Sequence, residues 1–204
     1  MRMRKKKWVS PFLENEDKYL LEYIKSFECD CPIYLEIGMG MGDFITESAK
    51  ENPDIFYIGF EKDETCVARS IKKARELGLE NFRVILDDAS NIEEIVDENR
   101  IDRIYLHFSD PWPKKHHHKR RLTYKTFLNK YMRILKNKGT LVYKTDNEDF
   151  FNDSLEYFKE TPFIMEDLNR NYHEIERREP MTAYERKFVE AGKPIYFAKY
   201  RIEK

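Results

Sequence analysis

The stretch Glu36-Ile37-Gly38-Met39-Gly40-Met41-Gly42-Asp43 holds three of the chain's seven glycines within five residues, directly after an apolar run. A run rich in β-branched and aromatic residues that closes on glycines reads as a strand entering a tight turn. Glycine has no Cβ, so the backbone can fold back and a ligand can lie against it. Residues 43–50 then switch to helical spacing, which makes strand, turn and helix the first half of a βαβ unit. The alternation continues outward. Strands are expected at 32–37, 55–60, 82–86, 103–108 and 140–144, with helices at 43–50, 64–77, 92–98, 123–135 and 148–159. Gly78 suits a helix C-cap and Gly139 the turn into the fifth strand. Residues 194–200 alternate as a closing strand, antiparallel at one side, and the polar stretch 170–190 reads as a mobile loop. The expected architecture is α/β, an open and mostly parallel sheet with helices on both faces and an antiparallel C-terminal strand.

Composition narrows the class. With 204 residues, 41% hydrophobic and 37% charged, the chain has the balance of one globular domain, residues 1–204, carrying a basic tail over about residues 1–10. No stretch nears the roughly 20 apolar residues of a spanning helix. Trp8, Ser10 and Pro11 stand where a secretory signal would need its apolar core. Cys29, Cys31 and Cys66 are too few for a disulfide framework and lack the second pair of a zinc site, so a reducing cytoplasm is expected.

In an open parallel sheet, ligands bind beyond the carboxyl ends of the strands. Each of the five expected strands ends in acid: Glu36, Glu61, Asp87 with Asp88, Asp110 and Asp146. A dinucleotide turn reads G-x-G-x-x-G and aims a helix N-terminus at pyrophosphate. Here the spacing is E-x-G-x-G-x-G, with Asp43 following, and these acids would repel a pyrophosphate. A ligand with a cationic end fits better. S-adenosylmethionine carries an ammonium and a sulfonium and no phosphate; Glu61 lies where an acid takes two ribose hydroxyls, and Asp88 can accept from the adenine amino group.

The net charge of −1 hides a segregation. Between Pro113 and Lys138 stand Lys114, Lys115, Lys119, Arg120, Arg121, Lys125, Lys130, Arg133, Lys136 and Lys138, with no Asp or Glu among them. The tail adds Arg2, Arg4, Lys5, Lys6 and Lys7. Such a block calls for an anionic partner, and a phosphate backbone is the natural one. Immediately before it, Ser109-Asp110-Pro111-Trp112-Pro113-Lys114 presents an acid and an indole on a loop stiffened by two prolines, which should hold Asp110 and Trp112 extended. An acid beside an indole can bind a flat, polar heterocycle. His116, His117 and His118 are adjacent in sequence and so point apart, which argues against a shared metal ion and for phosphate or base contacts.

With these motifs quoted, the sequence resembles the bacterial tRNA (guanine-N7)-methyltransferase family, within the Rossmann-like class I S-adenosylmethionine-dependent methyltransferases. The resemblance runs over most of the chain. It rests on Glu36 to Gly42, Gly59-Phe60-Glu61, Asp88-Ala89, Ser109 to Lys114 leading to Lys119-Arg120-Arg121, Lys144-Thr145-Asp146, and Thr182-Ala183-Tyr184-Glu185. The glycine motif names only the class, whereas Asp-Pro-Trp-Pro-Lys with its basic sequel and Thr-x-Tyr-Glu are more specific. The resemblance implies methyl transfer to N7 of guanosine 46 in the tRNA variable loop. It implies that Glu36, Gly38, Gly40, Glu61, Asp88 and Asp110 serve the cofactor, with Asp110 also catalytic. It further implies that Lys114, Asp146, Thr182, Ala183, Tyr184 and Glu185 serve the tRNA substrate. Lys119, Arg120 and Arg121 are expected on its backbone phosphates. One departure is His116, where the family often has arginine.

Guanine N7 offers a lone pair and carries no proton, so methylation needs alignment more than a strong base. Two rivals remain open at this stage: a methyltransferase for another RNA base, and a non-catalytic RNA-binding module. A nicotinamide oxidoreductase would use the same fold but lacks its glycine spacing here. The partner is expected to be tRNA, with no membrane and no metal; monomer and homodimer are equally compatible.

Overall fold

The computed structural model describes residues 6–16, 18–24, 29–172 and 179–204. The chain divides into two compact units, residues 1–97 and 98–204. Tail residues 1–5 lie outside the described residues, as do 173–178 of the expected loop.

In the first unit, α1 (Val9–Glu14), β1 (Leu20–Leu21), β2 (Ile33–Ile37), α2 (Asp43–Glu51), β3 (Phe56–Glu61), α3 (Glu64–Glu76), β4 (Phe82–Leu86) and α4 (Ile92–Ile95) follow in order. The strands line up β1-β4-β3-β2, all parallel. β3 is buried at five successive positions, Phe56 to Phe60, so both faces of the sheet are covered there. α3 starts where the Asp63 carboxylate accepts from the Thr65 and Cys66 amides, and it stops at Gly78, as expected. Three features differ from the sequence reading. Residues from Val9 onward are not tail: α1 buries Val9 and Leu13, and Lys72 of α3 lies 3.7 Å above the Trp8 ring. The fourth helix is one turn long rather than 92–98. The Asp88 side chain caps a 3₁₀ turn, Ala89–Asn91, ahead of it, and buried β-branched Val96 is already extended after it. Cys29 and Cys31 are joined in a disulfide, where reduced thiols were expected.

The second unit comprises β5 (Ile101–His107), α5 (Lys125–Ile134), β6 (Leu135–Thr145), α6 (Glu148–Lys159), β7 (Phe163–Asn169), α7 (Ala183–Glu190) and β8 (Tyr196–Ile202), in the strand order β5-β6-β8-β7. β5 and β6 are parallel; β8 runs antiparallel to β6 on one side and to β7 on the other. The closing strand is thus antiparallel, as expected, but it is an inner strand and β7 forms the edge. β7 escapes a hydrophobicity pattern because Ile164, Met165 and Leu168 are exposed and Glu166 pairs with Lys199 and Arg201 of β8. The register shifts between Met165 and Asp167. Residues 183–190, expected in a mobile loop, are α7. Its signal was legible: Thr182 accepts from the Glu185 amide at 2.9 Å, the first half of a capping box written Thr-x-x-Glu.

Candidate active site

In the first unit the glycine turn carries three left-handed residues, Gly38, Gly40 and Gly42, at φ 74°, 57° and 73°. Only glycine takes these angles without strain. A Cβ on Gly42 would sit 2.7 Å from the Ser70 Cβ on α3, whereas nothing lies within 4 Å of one built on Gly40. Gly42 therefore serves packing, and the space over Gly40 is open. Glu61, at the end of β3, ties the turn down: Oε2 accepts from the Gly40 amide at 3.0 Å, and Oε1 accepts from the Lys62 and Asp63 amides. Glu36 is buried at 2% exposure near the end of β2. Asp43, just past the glycines, pairs with Lys73. Asp88 accepts from the Ser90 amide at 3.0 Å, and this bond, with Lys62 nearby at 3.5 Å, holds its carboxyl below the usual range despite partial burial.

In the second unit, β5 delivers a loop that begins at Phe108 and carries exposed Asp110. Two non-glycine residues flank Asp110 in the left-handed region, Phe108 at φ 50° and Trp112 at φ 41°. The expectation that Trp112 is extended before Pro113 is thus corrected. Such conformers cost about 1–3 kcal/mol each and persist where surrounding contacts over-determine them. Those contacts are present. The Phe108 amide donates to the Lys144 carbonyl at 2.9 Å, and Arg121 donates Nε to the Pro111 carbonyl at 2.7 Å and Nη2 to the Trp112 carbonyl at 3.5 Å. Arg120 lies over the Trp112 ring, with its Cζ 5.1 Å from the centroid.

The three histidines find three settings. His116 and His117 rings lie 4.0 Å apart, His117 meets the edge of Trp112, and His118 reaches Arg121 and Tyr157. Loss of solvent first, then the charges of His116, Arg120 and Lys114, lower the His117 pKa.

The cationic block is partly neutralised from within the chain. Arg121 pairs with Asp153, Lys125 with Glu160, Arg133 with Glu98 and Lys136 with Asp102. Lys114, Lys115, Lys119 and Arg120 are exposed and have no acidic partner among the described residues.

At the start of α7, Thr182 is half-buried, and Ala183 and Tyr184 are exposed. The Tyr184 ring lies 5.3 Å from Phe108 and stacks on Phe188. Burial raises the Tyr184 pKa, and the Asp146 carboxylate adds to the shift. Glu185 differs from its neighbours: it is fully buried, 3.6 Å from the ammonium of buried Lys144. His107 is also buried, and desolvation, helped by Lys144, holds its pKa well below the usual value and the ring neutral.

Residues 30–198 match a family described as "Putative methyltransferase". The chain is 40% identical over 207 residues to a tRNA (guanine-N(7)-)-methyltransferase of Bacillus velezensis, covering 97% of this chain and 95% of that one. The chain belongs to the tRNA (guanine-N(7)-)-methyltransferase family. A relative of the same name from Staphylococcus aureus is 41% identical, with 96% and 95% covered. Among solved structures, a SAM dependent methyltransferase from Aquifex aeolicus superposes with TM-score 0.61 at 15% identity, covering 88% of this chain and 87% of that one. An rRNA methylase from Streptococcus thermophilus gives TM-score 0.58 at 18% identity, with 86% and 89% covered. These likenesses bear out the Rossmann-like methyltransferase fold.

Of the motif residues by which the chain resembles this methyltransferase family, Glu61 and Gly40 are brought into direct contact in the first unit, and Lys144 and Glu185 in the second. Two stand apart from the expectation. Arg121, set with Lys119 and Arg120 as a phosphate contact, is only 3% exposed, and Glu185, set with the substrate residues, is 0% exposed. Both are held by ion pairs inside the second unit.

Proposed function

We infer that this protein transfers a methyl group from S-adenosylmethionine to N7 of a guanosine in tRNA, the guanosine at position 46 of the variable loop. The observation that carries the reading is identity near 40% over almost the whole length of relatives named for tRNA guanine-N7 methylation. It treats residues 1–204 as one catalytic domain working in the cytoplasm. No helix among the described residues is long and apolar enough to cross a membrane.

The donor set of the first unit fits a ligand with a cationic end. In a dinucleotide turn the backbone amides meet pyrophosphate; here the Gly40 amide already donates to a carboxylate, that of Glu61. Glu36, Gly38, Gly40, Glu61 and Asp88 are the residues of the first unit that would hold the cofactor. When bound, it supplies an electrophilic methyl on a sulfonium sulfur.

Asp110 does the work of orientation. Its carboxylate accepts from the N–H edge of the guanine and offsets the positive charge that grows on the base as N7 is alkylated. N7 carries no proton, so no residue needs to remove one there. Lys114, Asp146, Thr182, Ala183 and Tyr184 receive the nucleoside, with the exposed Tyr184 ring as a stacking surface. Glu185 supports this group from beneath, through Lys144, without touching RNA. Lys119 and Arg120 take backbone phosphates.

The direct test replaces the target atom. With labelled cofactor, unmodified tRNA should accept a methyl group, and the same tRNA carrying 7-deazaguanosine at position 46 should accept none. Equal labelling of both would move the target to another atom or base.

A further inference from the structure

We propose that Arg121 is a positioning residue for methyl transfer, its buried guanidinium clamping the loop that carries Asp110 to the helix behind it. The proposal rests on the methyltransferase reading above and assigns Arg121 a task different from that of its basic neighbours.

Arg121 follows the 3₁₀ turn Lys115–Arg120 and is 3% exposed. A phosphate cannot reach it there. Its donors point two ways. Nε and Nη2 reach the carbonyls of Pro111 and Trp112, and Nη1 reaches Asp153 Oδ2 at 2.7 Å and the Tyr157 hydroxyl at 3.1 Å, both on α6. His118 Nε2 lies 3.0 Å from Nη2, and the Phe150 ring lies beneath the guanidinium, 5.0 Å from Cζ. A planar fork can serve both sides at once; a lysine ammonium offers a single point of attachment and cannot. Asp110 sits between Phe108 and Trp112, both in left-handed conformations. A segment strained at both ends relaxes unless it is held. The Arg121 bonds fall on Pro111 and Trp112, the two residues after Asp110, and so fix the direction from which its carboxylate projects. Alignment is the main demand of N7 alkylation, so the clamp acts on rate.

The test compares Arg121→Lys, Arg121→Gln and Tyr157→Phe with the wild-type chain, all in a Trp8→Phe background so that Trp112 is the sole indole. Single-turnover methylation of tRNA at saturating cofactor should fall about 100-fold in both Arg121 variants. It should fall partially in Tyr157→Phe, which keeps the charge and loses one bond of the clamp. Trp112 emission should shift in all three, and the salt dependence of tRNA binding should stay as in wild type. Full rescue by lysine, or a salt slope reduced by about one contact, would make Arg121 a phosphate ligand and overturn the proposal. Should the Arg121 variants fail to fold, Tyr157→Phe decides: an unchanged rate with unchanged emission overturns the clamp. A wild-type chain that methylates no tRNA would defeat the functional reading instead, and the emission of Trp112 would still report whether Arg121 holds the loop.

Discussion

Glu61 accepts from three backbone amides, so one side chain both ends β3 and anchors the glycine turn. Around it, two glycines of the same turn perform separable tasks. Gly42 is crowded by Ser70, and an added methyl there meets both the left-handed strain and a steric clash. Gly42→Ala should lower stability by about 2 kcal/mol or more. Gly40 carries the same kind of strain in open space, so Gly40→Ala should cost the fold about 1 kcal/mol while markedly weakening cofactor binding. Thermal unfolding and calorimetric titration of S-adenosylmethionine on the two variants check the contrast. Undiminished cofactor affinity in Gly40→Ala would remove Gly40 from the binding site. Asp110 is the complementary case, exposed and set on a strained loop. Asp110→Asn should bind cofactor with moderate loss yet methylate about 100-fold more slowly in a single turnover; an unchanged rate would take it out of catalysis.

At the scale of elements, the cationic segment after Trp112 is not uniform. Arg121, Lys125, Arg133 and Lys136 pair with acids from elsewhere in the second unit, and Lys114, Lys115, Lys119 and Arg120 have no such partner among the described residues. The phosphate contacts therefore concentrate on the 3₁₀ turn. Neutralising Lys119 and Arg120 together should flatten the slope of log affinity for tRNA against log salt by about two contacts. Neutralising Lys125 and Lys136 should leave that slope alone, and the reverse pattern would relocate the RNA surface to α5 and β6. The limits of legibility also lie at this scale. The buried strands β2 to β6, and the helices α2, α3, α5 and α6, follow from apolar runs and helical spacing, because burial writes itself into composition. β1 is two residues long and β7 exposes its apolar side chains, so neither leaves that mark. α7 does announce itself, through Thr182 and Glu185, but the signal is a cap and not a hydrophobic period. A sequence shows ten like charges in a row of 26 residues; which of them are answered by Asp102, Asp153 or Glu160 is a matter of tertiary contact alone. The same holds for Arg121 and Glu185, which sit buried in ion pairs with Asp153 and Lys144 that no spacing in the sequence announces.

For the whole molecule, a net charge of −1 conceals an acid-lined first unit and a second unit with an exposed basic turn. That division matches the two substrates of the reaction, one cationic and free of phosphate, the other a polyanion. Family membership joins them to a single activity. The most direct measurement incubates the purified protein with unmodified tRNA and labelled S-adenosylmethionine, digests the RNA and identifies the methylated nucleoside by mass spectrometry. The expected product is 7-methylguanosine, mapping to the variable loop. A different methylated nucleoside would contradict the assigned target, and RNA bound but left unlabelled would contradict the assignment of an enzyme.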